Sequence, residues 1–286
     1  MPRQIRSCRS CTVCCLPDVE VYKMKIALIG YGKMGHMLEQ TARSFGHEVT
    51  ATIDVLAPDA TVKIPAGDGD ALAKAVTASG AEGVIEFSHP SAVMGNIRAL
   101  LPLGLPLVIG TTGWNDRQAE VAALAAQTGG TAMHSANFSI GVNMFYRIVE
   151  EAAKLVNNFA EYDAAVWEMH HNQKADSPSG TALEIARRVM AGDKRKTELV
   201  TDAFHARPEP QQLHVSSTRC GTVPGTHSVY FDCAADTIEL THTARSRQGF
   251  ANGAVHALEN LKKYLDDGTL QKGRLYGMED VFPGMF

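Results

Sequence analysis

Lys25-Ile-Ala-Leu-Ile-Gly30-Tyr-Gly-Lys-Met-Gly35 joins a short, wholly apolar run to three glycines at G-x-G-x-x-G spacing. An apolar run this short, without alternation, reads as a parallel strand buried on both faces. A helical pattern follows through Met37, Leu38 and Thr41 to Phe45, and Gly46 ends it. Glu48-Val-Thr-Ala-Thr-Ile-Asp54 then reads as a second strand that finishes on an acid. Strand, glycine loop, helix, strand and acid is the order of a dinucleotide-binding βαβ unit. Gly30 permits the tight turn, Gly32 lets a pyrophosphate approach the backbone, and Gly35 lets helix and strand pack closely. Tyr31, Lys33 and Met34 complete the loop as cofactor-binding candidates. Asp54, nineteen residues past Gly35, is placed to accept a hydrogen bond from a ribose hydroxyl. The plainer alternative is a glycine turn in an α/β protein that binds nothing there.

Outward from this unit, strands and helices alternate to about residue 135. Val55 to Gly69, with two prolines and two glycines, reads as loop, and Asp70 to Ala78 as helix. Strands are expected at Gly83–Phe87, Leu107–Ile109 and Thr131–Met133, and helices at Ser91–Leu101 and Asn115–Ala126. The fold class is α/β: a Rossmann-type, doubly wound parallel sheet over residues 24–136. Ligands of such sheets bind beyond the carboxyl ends of the strands. There three polar segments meet: Gly30–Gly35, Ser88–Pro90 and Gly110-Thr-Thr-Gly113.

From Asn137 the pattern changes. A long helix ends near Val156, and strand-like runs follow at Glu161–Met169, Leu213–Arg219, His227–Cys233 and Thr237–Thr243. Strands without helices between them predict a mixed or antiparallel sheet. Residues 137–247 therefore read as a second, α+β domain. A last helix, Phe250 to Leu265, opens a C-terminal segment, 248–286, that returns to the first domain. The boundary between the two domains is expected to be a hinged cleft.

The second domain carries Glu168-Met-His-His-Asn-Gln-Lys-Ala-Asp-Ser-Pro-Ser-Gly-Thr-Ala182. Imidazole exchanges a proton near neutral pH. Lys174 offers a point charge. Ser179-Gly180-Thr181 opens a helix through Leu183, Ile185, Ala186 and Val189, so its N–H groups offer fixed dipoles to an anion. A His-His pair alone would read as a solvated loop; the lysine and the helix start make it a site that holds an anion and moves a proton. No metal is expected. His170 and His171 are adjacent, face opposite ways on a strand, and chelate poorly.

Composition sets the outer limits. The 286 residues suit two domains, and 45% hydrophobic residues supply a sizeable core. A formal net charge of -4 with no basic block argues against a nucleic-acid partner. No apolar run is long enough to span a membrane. Residues 1–23 hold Cys8, Cys11, Cys14 and Cys15, four of the six cysteines, and show no structural period. They lack the apolar core of a secretory signal. They read as a disordered leader, with Met24 as the working start. The remaining Cys220 and Cys233 are expected to be reduced packing residues in strands.

Several strings together resemble one family, the dihydrodipicolinate (4-hydroxy-tetrahydrodipicolinate) reductases of lysine and diaminopimelate biosynthesis. They are Gly30–Gly35, Glu86-Phe-Ser-His-Pro90, Val108-Ile-Gly-Thr-Thr-Gly113, Ala136-Asn-Phe-Ser-Ile-Gly-Val-Asn143, Glu168–Ala182, and Ala244-Arg-Ser-Arg with Phe250-Ala-Asn-Gly-Ala254. The resemblance runs from Met24 to the C-terminus. It implies an NAD(P)H-dependent oxidoreductase in the cytoplasm, a homotetramer, acting on a small cyclic dicarboxylate. By the same resemblance His170 is the acid and Lys174 holds a carboxylate and assists proton transfer. His171, Ser179, Gly180 and Thr181 bind the substrate carboxylates. Gly110, Thr111 and Thr112 with Ser135, Ala136, Asn137 and Phe138 line the nicotinamide side. Two departures stand out. The glycine loop has the compact six-residue form, and Asn172 and Gln173 stand where other members often carry a base.

Cofactor choice is read from the residues. Asp54 would repel a 2′-phosphate, no base follows the second strand until Lys63, and Lys33 only partly offsets the repulsion. The expectation is NADH favoured, or use of both NADH and NADPH. Two other functions fit parts of the chain. A related dehydrogenase acting on another small acid would need the glycine unit but not Glu168–Ala182. A nucleotide-sensing regulator would bind without turnover and has no use for His170 and Lys174. Protein beginning at Met24 is expected to melt within a few degrees of the full chain, since the leader has no pattern to bury. A larger drop, or stoichiometric zinc that is lost on truncation, would overturn that expectation.

Overall fold

The computed structural model describes residues 23–285; the leader and its four cysteines lie outside them. The chain runs β1 (Lys25–Ile29), α1 (Lys33–Ser44), β2 (Glu48–Asp54), β3 (Val62–Lys63), α2 (Gly69–Ala78), β4 (Gly83–Glu86), α3 (Val93–Leu100), β5 (Leu107–Ile109), α4 (Gln118–Thr128) and β6 (Ala132–His134). It continues with α5 (Ile140–Val156), β7 (Asp163–His170), α6 (Gly180–Gly192), β8 (Glu198–Val200), β9 (Gln212–Arg219), β10 (Thr226–Asp232) and β11 (Thr237–Thr243). It closes with α7 (Gln248–Asp266), β12 (Leu275–Tyr276) and α8 (Met278–Val281). No helix among the described residues is long and apolar enough to cross a membrane.

Seven strands form a parallel sheet in the order β12-β6-β5-β4-β1-β2-β3. The apolar run of β1 is explained by its two neighbours in depth. Ile26 and Leu28 enter a core shared with α1 and α7, while Ala27 and Ile29 enter the opposite core with α2, α3 and α4. Each fully buried Ile or Leu contributes about 1.5–3 kcal/mol, so both faces favour this register. α7 belongs to the first of these cores through Ala251, Ala254, Leu258 and Leu261, and Gln248 Nε2 donates to Thr41 Oγ1 of α1 at 2.6 Å. The C-terminal helix thus packs on the nucleotide-type sheet, and β12 adds its edge strand.

The second sheet has the order β11-β10-β7-β9-β8 and is mixed. β10 is antiparallel to β7 and β11, whereas β9 is parallel to β7 and β8. Along β7 the pleat alternates. Ala164 and Val166 pack under α5 and α6, and the same face continues to buried Glu168 and His170. Apolar packing at one end of the strand thereby aims two polar side chains at the other.

Three short strands were not expected: β3 within the segment read as loop, β8 and β12. The expected strand placement of the two remaining cysteines is corrected. Cys220 follows β9 and is exposed, and Cys233 follows β10, half-buried; both are free. The chain turns sharply after each strand, so neither thiol reaches the core.

The glycine loop depends on close approach. Gly30 has φ +90°, and a Cβ there would lie 2.2 Å from the Phe87 carbonyl oxygen. A Cβ on Gly35 would lie 2.3 Å from the Gly30 carbonyl oxygen. Gly35→Ala is therefore expected to push α1 off β1 and destabilise the protein by about 1–3 kcal/mol, the usual cost of overpacking. A thermal melt within one degree of the wild type would contradict this contact.

Candidate active site

A cleft between the two sheets is lined from the first by Thr112, His134, Ser135, Ala136 and Asn137. From the second it is lined by His170, His171, Lys174, Ser179, Gly180 and Thr181, and by His227 and Arg247. Its volume is about 1220 Å³, room for a dinucleotide end and a small acid together. The carboxyl ends of β5 and β6 supply one wall. The carboxyl end of β7 and the N-terminus of α6 supply the other.

Ser179 starts α6. Its Oγ accepts from Ala182 N at 3.1 Å, which caps the helix. Its own N–H donates to Glu168 Oε1 at 3.1 Å. Glu168 is fully buried. Arg219 Nη2 donates to the same Oε1 at 2.9 Å, and Oε2 lies 2.6 Å from His170 Nδ1 and 3.9 Å from His227 Nε2. Burial alone would raise the Glu168 carboxyl, but Ser179, Ser217 and Arg219 outweigh it and hold the group below its ordinary range. It is a carboxylate at neutral pH.

His170 lies under opposing influences. Burial pushes its imidazole down, Glu168 pulls it up, and Lys174 and Arg219 push it down again; the net direction is down. His227 packs edge-on against His170, with ring centroids 5.1 Å apart. Its Nε2 is 3.2 Å from Ser179 Oγ. Burial and the neighbouring His170 push it down to about 4, so it stays neutral. Glu168, His170 and His227 offer three potential metal-ligand atoms within 4.8 Å of one another. The Arg219 guanidinium already sits on that carboxylate and repels a second cation.

Arg219 also shapes the loop carrying Lys174. Its Nε donates to the Lys174 carbonyl at 3.3 Å, and Nη2 donates to the Asp176 carbonyl. Lys174 Nζ pairs with Asp176 Oδ1 at 2.8 Å, on a carboxylate that is itself exposed. An incoming carboxylate can replace Asp176 at little cost, since exposed pairs contribute about 0–1 kcal/mol. Asn137 Nδ2 donates to Thr181 Oγ1 at 3.3 Å, and Asn143 Nδ2 holds the Asn137 carbonyl at 2.9 Å. The crossing point between the domains is thus tied to the start of α6.

The glycine loop lies between β1 and α1, beside the end of β2. The N-cap Gly32 makes no side-chain cap, and no protein atom lies within 4 Å of where a Cβ would stand on it. A helix start without a side-chain cap leaves its first N–H groups open to an anion. Asp54 Oδ2 accepts from Tyr31 N at 2.7 Å, and Oδ1 accepts from Leu56 N and Ala57 N at 2.8 and 2.9 Å. Against burial, these N–H groups hold the carboxyl below its ordinary range. Asp54 thereby fixes the glycine loop.

The expected residues divide by depth. Thr112, Ser135, Ala136, Asn137, His170, His171, Lys174, Ser179, Gly180 and Thr181 line the cleft. Gly110, Thr111 and Phe138 sit behind it. A Cβ on Gly110 would strike the Phe87 ring at 1.9 Å, Thr111 Oγ1 accepts from Ser88 N at 2.7 Å, and Phe138 is a core residue. Glu168, Arg219 and His227 had no assigned part. Glu168 was within reach, since it and His170 are two apart on a strand and share a face. Arg219 and His227 reach the site only through strand register, opposite His170 and Glu168 respectively.

Comparison with known proteins agrees with this geometry. Residues 24–138 match the family model described as dihydrodipicolinate reductase, N-terminus, and residues 141–282 match the corresponding C-terminus model. A 4-hydroxy-tetrahydrodipicolinate reductase of Christiangramia forsetii is 32% identical, over 92% of this chain and 99% of its own. Proteins of the same name from Cupriavidus necator and Archaeoglobus fulgidus are 34% and 35% identical, over 90% of this chain and 98% and 99% of theirs. Among solved structures, a dipicolinate-bound dihydrodipicolinate reductase from Paenisporosarcina sp. TG-14 superposes with a TM-score of 0.69 at 20% identity. That match covers 90% of this chain and 98% of that one and bears on the fold. With both halves matched in order and the relatives spanned nearly end to end, this chain belongs to the dihydrodipicolinate reductase family.

Proposed function

We propose that this chain reduces 4-hydroxy-tetrahydrodipicolinate, through its dehydrated form dihydrodipicolinate, to tetrahydrodipicolinate in lysine and diaminopimelate biosynthesis. The observation that carries the reading is one cleft. In it a carboxylate-backed histidine, a lysine and a helix N-terminus face the loops of a dinucleotide-type sheet. A nicotinamide cofactor supplies the hydride. The protein supplies orientation, charge and the proton.

Lys174 and the first N–H groups of α6, at Gly180 and Thr181, hold the substrate carboxylates, with His171 and Ser179 beside them. The same positive groups stabilise negative charge as it develops on the ring. His170 delivers the proton. Its imidazole is kept low in the free protein; a bound dianion adds negative charge beside it and favours the protonated, acid form. Thr112 and Ser135 to Asn137 orient the nicotinamide end, and Gly30 to Gly35 with Asp54 hold the adenosine end. Residues 24–136 with 248–286 serve the cofactor in this reading, and 137–247 serve the substrate. A cytoplasmic homotetramer belongs to the same reading. Trp167 and Tyr230, half-buried on the sheet face turned from α5 and α6, are the surface it would use.

NADH is the favoured donor, or both donors serve, because the Asp54 carboxylate would repel a 2′-phosphate and no base follows it before Lys63.

The direct test follows nicotinamide absorbance in a coupled assay with the lysine-pathway synthase. Substrate-dependent oxidation is expected; none with either cofactor, from folded protein, would sink the proposal. His170→Gln should lower kcat by roughly 10²–10⁴, the scale of a general acid, and Lys174→Ala should raise KM as well as lower kcat. Near-normal kinetics in both variants would refute the roles. For the donor, kcat/KM at fixed ionic strength decides. A preference for NADPH of about tenfold, or about 1.4 kcal/mol, would show that another group meets the phosphate.

A further inference from the structure

We infer that Glu168 is the positioning residue of this site: it fixes the proton on Nδ1 of His170 and so makes Nε2 the nitrogen that serves the cleft. The inference rests on the proposed reaction for its kinetic consequences but not for its geometry. Glu168 Oε2 approaches Nδ1 to 2.6 Å without the alignment of a formed hydrogen bond; a carboxylate that close repels a bare nitrogen lone pair and favours the ring proton on that side. Glu168 is fully buried and cannot swing away to water. Arg219 Nη2 and the Ser179 N–H hold its other oxygen at 2.9 and 3.1 Å. These contacts come from β9 and α6, so the carboxylate is anchored from two elements while it orients a side chain on a third.

Gly225 completes the arrangement. A Cβ there would lie 2.8 Å from His170 Nε2. The missing side chain leaves that nitrogen uncapped, and both His170 and Gly225 line the cleft. The charged and titratable groups around the ring are Glu168 on β7, Lys174 on the following loop, Arg219 on β9 and His227 on β10. Lys174 is paired with Asp176, and His227 is neutral. Glu168 is thus the one group of this set that favours a positive charge on His170. Once Nε2 has released its proton, the Nδ1–H remains against Glu168, and the neutral ring is left in the tautomer that can take up the next proton from solvent at Nε2.

Two measurements test this. Long-range ¹H–¹⁵N correlation on ¹⁵N-histidine-labelled wild-type protein at pH about 8 reads the neutral tautomer, with His170 assigned by its disappearance in His170→Gln. A protonated Nδ1 and a bare Nε2 are expected. The opposite tautomer overturns the inference whether or not the protein turns over substrate, so its failure is separable from failure of the proposed reaction. The second measurement is the pH profile of Glu168→Gln. The acid form of His170 is the active one, so kcat falls as pH rises through its pKa in the complex. Removing the protein carboxylate that raises that pKa, beside the bound dianion, should move the falling limb to lower pH. It should also lower kcat by about tenfold or more, within the 10²–10⁴ that the acid itself contributes. Substrate KM should stay within about threefold of wild type, because Glu168 is not a binding group. Glu168→Asp should recover part of the shift in the limb. A variant with wild-type kcat and an unmoved limb, or one that loses only KM, overturns the assignment. If Glu168→Gln does not fold, the wild-type tautomer alone decides.

Discussion

The carboxylate of Glu168 is buried away from solvent, and a charge in that position needs compensation from the protein. Removing one partner of such a group costs about 3–5 kcal/mol, because the remaining charge is left without compensation. Here the Arg219 guanidinium and the Ser179 N–H hold one oxygen, and the His170 ring lies 2.6 Å from the other without a formed hydrogen bond. Each belongs to a different element. The position of β9 beside β7, the start of α6 and the direction of His170 are consequently parts of one electrostatic arrangement. Ser179 joins two of its functions: its N–H satisfies Glu168 while its hydroxyl caps α6. The start of α6 and the carboxylate beside His170 therefore cannot move independently.

The two sheets solve different packing problems, and their sequences differ accordingly. β1 is covered on both faces and is apolar at nearly every position. β7 is covered on one face and alternates, and its covered face changes from Ala164 and Val166 to Glu168 and His170 as it leaves the shelter of the helices. One strand thus serves as core at one end and as active-site wall at the other.

This contrast explains what the sequence disclosed. The β1–α1–β2 unit was legible because the glycine spacing, the unbroken apolar run and Asp54 are local signals that agree. β5 and β11 have the bounds expected of them. β3, β8 and β12 are two or three residues long, too short to show a period, and exist because a neighbouring strand offers an edge. The site was legible where its groups are consecutive, as in His170 to Thr181. Arg219 and His227 are separated from that string by 37 residues or more in sequence. They arrive through the pairing of β7 with β9 and β10, which no local pattern encodes. The two cysteines beyond β9 and β10 were misplaced because each stands one residue past the last paired position, where the backbone turns.

Asp54 carries a cost for anyone who would redesign this chain. Its two oxygens already hold three backbone N–H groups, among them that of Tyr31 inside the glycine loop. The residue proposed to discriminate between adenosine riboses is thus also a strut of the glycine loop. Exchanging it for a neutral or basic side chain would release the N–H groups it holds, that of the glycine loop among them. In the proposed reading, selectivity and loop structure are coupled through one carboxylate, and a change of donor calls for a compensating group at the loop rather than a single substitution.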